Sequence, residues 1–371
     1  MSARLIPEPG CQSEERSYRL PTDRNPAVGS HWRGALARSR LVRSTRPWGG
    51  LATCLMYHRI CPDPTGQDRG DKGFAPNLEL SVTASAFDAQ MAFAARHFNC
   101  LSLPDAVAGL ARGKLPERSL IVTFDDGYLD NLTLALPVLR RHGVPATVYI
   151  ATGLRDQSAL LWWHELEHLI SRVDELSFAW DGHPVHLSTA DDRARNRTFE
   201  ILNARLKQMK PADQVRFMTL LRNGAKAPAG PAELFLDRHQ LTQLAADPLV
   251  TIGAHTHRHY ALSHLDPPQL SHEISRSKVL LETWLNRPVE HLAYPFGGQA
   301  HASNREFDAA ARLGFVSGVT TRLGHFQHFH KRNLLALPRI GIGYRDCMDR
   351  FEWKISGLYS LVRRPRSRLM C

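Results

Sequence analysis

The chain contains no run near the roughly 20 uninterrupted apolar residues that a membrane-crossing helix needs. Its first residues also lack an apolar core behind their positive charges, so no standard secretion signal is read there. Cysteine is sparse. The six thiols (Cys11, Cys54, Cys61, Cys100, Cys347, Cys371) are scattered, with no close C-x-x-C pair. That usage fits free thiols in a reducing compartment and argues against a disulfide framework. RNP-like, zinc-finger and helix-turn-helix signatures are missing too, so the net charge of +11 is not read as nucleic-acid binding. No internal repeat is visible.

What is present is a 371-residue chain with 43% hydrophobic residues, enough for one large domain with insertions or for two ordinary ones. Much of the positive excess is arginine in the first fifty residues and in the stretch 350–368. Such ends suit weak association with an anionic membrane surface. The expected location is the cytoplasm, peripheral at the inner membrane.

Residues 1–48 mix Pro, Gly, Ser and Arg with little periodicity and read as a disordered basic leader. The catalytic domain is expected over 49–350, and a basic tail over 351–371. Phe351, Ile355, Leu358 and Val362 give that tail the spacing of an amphipathic helix, packed on the domain or lying on anionic lipid. Short apolar runs at 51–57, 119–124, 145–150, 249–252, 291–293, 315–319 and 337–342 read as buried strands. Helical patterns at 86–97, 103–110, 132–142 and 268–285 alternate with them, which argues for a parallel α/β architecture. Ser102 is a candidate cap ahead of Pro104, and Gly143 a helix stop. Between about 154 and 247 the rhythm changes to helical segments at 162–170, 190–210 and 211–222. This stretch is read as a helical insertion, with a separate domain as the alternative.

Two motifs carry chemistry. Asp125 and Asp126 close the apolar run Thr123-Phe124 and precede Gly127-Tyr128, so two carboxylates stand at a strand end. His255 and His259 follow the strand at 249–252; in a helical turn, residues four apart share a face and can converge on one ion. Thr256 could cap that turn. His257 would point elsewhere. An oxygen donor, two imidazoles and a spare carboxylate are the parts of a metal-assisted hydrolase.

With these residues in view, the chain resembles the polysaccharide deacetylases that share the nodulation-type chitooligosaccharide deacetylase homology domain (carbohydrate esterase family 4). Thr123-Phe-Asp-Asp-Gly-Tyr128 is similar to that family's first motif, His255-Thr256-x-x-His259 to the second, and Ala293-Tyr-Pro-Phe-Gly297 to a variant of the third. Met56-Tyr57-His58-Arg59 is typical of one branch. The likeness spans roughly residues 51–345. It implies a distorted (β/α) barrel and hydrolysis of N-acetyl groups from N-acetylhexosamine units of an oligo- or polysaccharide, releasing acetate. It further implies a divalent cation, zinc by preference, on Asp126, His255 and His259, with Asp125 as general base and the Phe296 backbone N–H as oxyanion donor. Tyr128, Tyr294, Pro295, Trp163 and His58 are the implied substrate contacts.

The sequence also departs from the pattern. The fuller third motif has an arginine that pairs with the base, but position 293 is Ala; Arg339, from another strand, is the candidate for that charge. Leu323-Gly324-His325 fits the Leu-x-His motif that supplies the general acid, with His328, His330 and His58 as substitutes. The tryptophan of the fourth motif is not clearly present. Trp162 and Trp163 are expected to divide between core and groove. The missing arginine and the uncertain acid leave two rival readings, an amidase on a small non-sugar amide and a glycan-binding relative with weak catalysis.

Overall fold

In this computed structural model the described residues are 50–64, 73–155, 158–159, 161–180, 182–225, 232–357 and 359. The expected leader 1–48 lies outside them, as does the tail beyond 359, with Val362.

Seven parallel strands close into a barrel: β1 (Ala52–Tyr57), β2 (Ser119–Phe124), β3 (Ala146–Ile150), β4 (Val250–Ala254), β5 (His291–Ala293), β6 (Ser317–Leu323) and β7 (Leu337–Gly341). Each pairs with its sequence neighbour. The ring closes because β1 bonds to β2 on one side (Ala52↔Ser119 through Tyr57↔Phe124) and to β7 on the other (Leu55↔Ile340). Every residue of β2 is buried, as expected of a strand covered on both faces.

Period-two alternation divides each strand between two cores. Leu120, Val122 and Phe124 belong to the large cluster that includes Phe87, Met91, Leu139 and Ile274 of the surrounding helices. Ile121 instead joins Cys54, Tyr149, Ala293, Val319 and Leu337. Helix α1 (Ala84–His97) lies on the outside, while α2 (Leu103–Arg112) adds Leu103, Ala106, Val107 and Leu110 to the second group. Ser102 caps α2 by accepting the Asp105 N–H. Space inside the ring is tight: a Cβ at Gly253 would collide with the Tyr149 ring.

Helix α3 (Leu136–His142) ends on Gly143 in the left-handed region, and is entered through a π-turn at Asn131–Ala135 where a single longer helix was expected. Between β3 and β4 come α4 (Trp162–Ile170), α5 (Asp192–Gln208), α6 (Pro211–Ala225) and α7 (Arg238–Ala245). A two-stranded antiparallel hairpin, Glu175–Trp180 with His183–Ser188, adds strands to what the sequence suggested was a helical insertion. This region has its own apolar core of Trp162, Leu166, Phe199, Leu202, Phe217 and Met218, joined to the barrel rim through Tyr128 and Phe235. After β4 runs α8 (Pro267–Leu285), and α9 (Asn304–Arg312) links β5 to β6. The last described helix, α10 (Met348–Ile355), buries Phe351 and Ile355 in the large barrel cluster. Among the described residues no helix is long and apolar enough to cross a membrane.

Candidate metal centre

Strand register delivers the first functional groups. Asp125 continues the alternate series Ile121, Thr123 one step beyond β2, and its N–H donates to the Tyr57 carbonyl at 3.0 Å. His255 likewise continues Thr251, Gly253 past β4, its N–H bonded to the Ile150 carbonyl at 2.9 Å. Arg339 reaches across from β7. Its guanidinium donates to both Asp125 oxygens at 2.7 Å, to Thr123 Oγ1 at 3.0 Å and to the Thr320 carbonyl at 3.0 Å. Both partners are buried (Arg339 1% exposed, Asp125 2%). The fork geometry is the strong form of an ion pair. Position 339 thus supplies the charge that Ala293 lacks.

The second carboxylate is turned the other way. Asp126 has φ +76° and Gly127 φ +78°, so the chain reverses immediately behind β2. The histidine loop is shaped in the same manner. Thr256 (φ +64°) and His259 (φ +56°) are left-handed, and the segment is a bend, not the helical turn that the spacing suggested. The Thr256 hydroxyl is buried without a hydrogen-bond partner among the described residues, so it does not cap the turn. Left-handed backbone costs a non-glycine residue about 1–2 kcal/mol. Of the six such residues described, four (Asp126, Thr256, His259, Phe296) lie at this site. The surroundings hold the loop in place. Glu273 of α8 accepts the Arg258 N–H and Nε–H at 2.7 Å each, and the Thr152 and Gly153 amides donate to the Thr256 and His257 carbonyls.

The result is convergence. Asp126 Oδ1 lies 3.4 Å from His255 Nε2 and 3.3 Å from His259 Nε2, and donor atoms of all three lie within 4.8 Å of one another. Two donors about 2.1 Å from a tetrahedral ion are about 3.4 Å apart, so the spacing suits a shared cation. Asp126 Oδ1 is buried with no hydrogen-bond partner among the described residues. The His255 Nδ1 sits 2.8 Å from the Ala293 carbonyl, which fixes the proton there and leaves Nε2 as the donor atom. Three such donors would leave the fourth position of a tetrahedral ion open, as in catalytic rather than structural sites.

Electrostatics separate the two carboxylates only in degree. Burial alone would raise Asp125, but Arg339 and then His255 hold it below the ordinary value. Burial is likewise outweighed at Asp126, where the two imidazoles hold the carboxyl well below that range. Among the imidazoles, burial would lower both. Asp126 and Asp125 lift His255 above its ordinary value, whereas burial prevails at His259.

Phe296 follows β5 with φ +60°, and among the described residues its N–H has no partner. Its carbonyl is tied to Thr321 Oγ1 at 2.6 Å; its ring stacks on Trp162 at 5.5 Å and meets His259 edge-on at 5.1 Å. Trp163 sets its ring 5.3 Å from His259. Both tryptophans are buried, 2% and 9% exposed, so the expected division between core and groove is not seen.

Other expectations need correction. His325 bonds to Thr53, the second residue of β1, at 2.9 Å. Tyr57 lies four residue steps beyond Thr53, about 13 Å along a strand, so His325 stands at the opposite end of the barrel from Asp125. His330 is bound to Gln327 beside it. His58, by contrast, follows Tyr57 on the rim that carries Asp125. Tyr128, Tyr294 and Pro295 are buried and present no surface to a substrate. The Tyr294 hydroxyl fills the space where a Cβ at Gly318 would go, and its ring packs on Phe307 at 5.3 Å. Glu273 and His164 went unread in the sequence; no local motif marks either residue.

With the geometry established, comparison with known proteins is decisive. The profile of the polysaccharide deacetylase family matches residues 112–317. The chain belongs to the polysaccharide deacetylase family. YxkH of Bacillus subtilis (strain 168), which carries that family's name, is 24% identical over 272 residues, 73% of this chain and 64% of that protein. The chain therefore spans just under two-thirds of the length of this relative. Two solved structures share the fold: the Streptococcus pyogenes deacetylase PplD in complex with acetate and a de-N-acetylase from Aggregatibacter actinomycetemcomitans. PplD is 20% identical with TM-score 0.53, over 82% of this chain and 97% of the other. The de-N-acetylase is 13% identical with TM-score 0.51, over 82% and 99%.

Proposed function

We propose that the protein is a metal-dependent deacetylase that hydrolyses N-acetyl groups on N-acetylhexosamine units of an oligo- or polysaccharide and releases acetate. The observation that carries this reading is the convergence of Asp126, His255 and His259 beside a carboxylate, Asp125, that is held by Arg339 and is not part of the ligand set. One oxygen and two imidazole nitrogens favour zinc among divalent ions. Such an ion would supply a Lewis acid for the acetyl carbonyl and would ease ionisation of the attacking water.

The chain's own groups account for the remaining steps. Asp125, kept ionised and oriented by Arg339, takes a proton from water as the new C–O bond forms. The Phe296 N–H, with no partner among the described residues, donates to the oxygen on which negative charge develops. The C–N bond breaks only if the departing amine gains a proton. His58 on the same rim supplies it, in place of His325. The rings of Trp163 and Phe296 wall the site with apolar surface and exclude bulk water.

The test compares acetate release from N-acetylated chitooligosaccharides with release from a panel of simple amides. The account expects turnover on the glycan that a chelator abolishes, and a loss of at least about 100-fold in Asp125→Asn. Preference for simple amides, or glycan binding without metal-dependent turnover, would contradict it.

A further inference from the structure

The strand-start end of the barrel, away from Asp125, exposes apolar surface that the chemistry does not use. Phe326 is tied there to the beginning of β1: its N–H donates to the Ala52 carbonyl at 2.8 Å, and its carbonyl accepts the Leu51 N–H at 2.6 Å. A short 3-10 turn, His328–Arg332, follows at once and packs on α2, whose Val107 and Leu110 share an apolar cluster with Ala52 and Phe326. Within that turn Phe329 is 67% exposed, more than any other large hydrophobic side chain described. Its ring lies 4.2 Å from that of His330, which is fixed by accepting the Gln327 N–H at 2.8 Å. Val316 precedes the first residue of β6 at the same end and is 45% exposed. With Pro104, Ala108, Ala111 and Leu334 it lines a groove of about 290 Å³.

Charge accompanies this apolar surface. Lys331 and Arg332 share the turn with Phe329, are exposed, and have no ion-pair partner among the described residues. Across segments 102–118, 289–291 and 325–334, five exposed Lys and Arg stand against three exposed carboxylates. The chain also enters the described structure at this end, with Gly50 beside Phe326 and Gln327. Residues 33–49 before it hold Arg33, Arg38, Arg40, Arg43 and Arg46 and no carboxylate. Arg46 is four residues from Gly50, so connectivity alone keeps their Cα atoms within about 14 Å. An exposed aromatic ring among unpaired cations matches a lipid interface, where the ring enters the acyl boundary and the cations meet anionic headgroups. A second copy of the chain fits less well, because a two-fold contact through this face would set the same cations against one another.

We propose that this end of the barrel docks on an anionic lipid surface, with Phe329 in the interfacial layer and Lys331 and Arg332 on the headgroups, leaving the rim that carries Asp125 toward the aqueous side. The proposal does not depend on the metal-centre reading above.

The test is co-sedimentation of the full chain with vesicles of equal parts phosphatidylglycerol and phosphatidylcholine, against vesicles of phosphatidylcholine alone. Binding is expected to the first and not to the second, and it should weaken as salt is raised. The double variant Lys331→Glu/Arg332→Glu should lower the partition coefficient at least about 10-fold, since each cation at such a surface is worth about fivefold. Phe329→Ser should lower it about 10-fold. The same charge change on the insertion, Arg193→Glu/Arg197→Glu, should leave most of the binding, and all these variants should unfold at the wild-type temperature. A chain that stays in solution, or that binds phosphatidylcholine equally, would overturn the proposal. Undiminished binding in the Phe329 and Lys331/Arg332 variants would also overturn it, by assigning attachment to the arginines before Gly50 alone. An equal loss in the insertion variant would make net charge the cause, and self-association abolished by Phe329→Ser without vesicle binding would assign the face to a second copy; either result contradicts the proposal.

Discussion

In the barrel, Asp125, His255 and Arg339 are delivered by strand periodicity; in the insertion, Trp162, Trp163 and His164 arrive on one helix that no local pattern aims at the site. The barrel groups lie one step past β2, one step past β4 and within β7, where alternation dictates which face a side chain takes. The insertion groups depend on a separate apolar core to hold α4 against the rim. The two regions therefore divide the work. On the proposed function, the barrel would hold the ion and the base, and the insertion would wall the site.

The largest expected effect lies in the barrel. Arg339→Met leaves the Asp125 carboxylate buried and unpaired, which should cost about 3–5 kcal/mol in urea unfolding and most turnover. Unchanged stability would show that the pair is not what orders the rim. A smaller effect is expected in the insertion. Phe217 is 1% exposed and packs edge-on against Trp180 at 4.5 Å, so Phe217→Ala should cost about 3 kcal/mol. That variant should lose substrate affinity while retaining bound metal. Loss of metal through overall unfolding would break the division of labour.

The smallest effect concerns pH and the far end of the barrel. Burial lowers His291 to about 4, beside Ser317 at 2.9 Å. The unfolded imidazole titrates near 6.5, so below that pH the unfolded chain binds a proton that the folded one refuses. Stability from this group is complete above about 6.5 and declines toward pH 4 at up to about 1.4 kcal/mol per pH unit. His291→Asn should flatten that slope in denaturant titrations; an unchanged slope would assign the acid sensitivity elsewhere.

How much of this was legible depends on the kind of signal. All seven barrel strands could be read from apolar runs bounded by turn residues, and the two motifs whose Asp126, His255 and His259 converge could be read because they follow strand ends. The Asp125–Arg339 pair was readable as a missing charge and a candidate on another strand. The hairpin went unread although Asp181-Gly182, between two strand-like runs, is a strong hairpin sequence. Helix α7 was also announced, by Asp237 and Gln240, which form a capping box. What no local signal could give was direction in space. Leu323-Gly324-His325 matched a three-residue pattern, but the chain carries it to the wrong end of the barrel. The His164–Tyr128 contact likewise joins residues from two separate elements.

Zinc content of the purified full-length chain tests the central claim most directly. The account predicts about one equivalent in the wild type and loss of it in each of Asp126→Ala, His255→Ala and His259→Ala. A full equivalent retained by any one of these variants would contradict a cation shared by all three side chains.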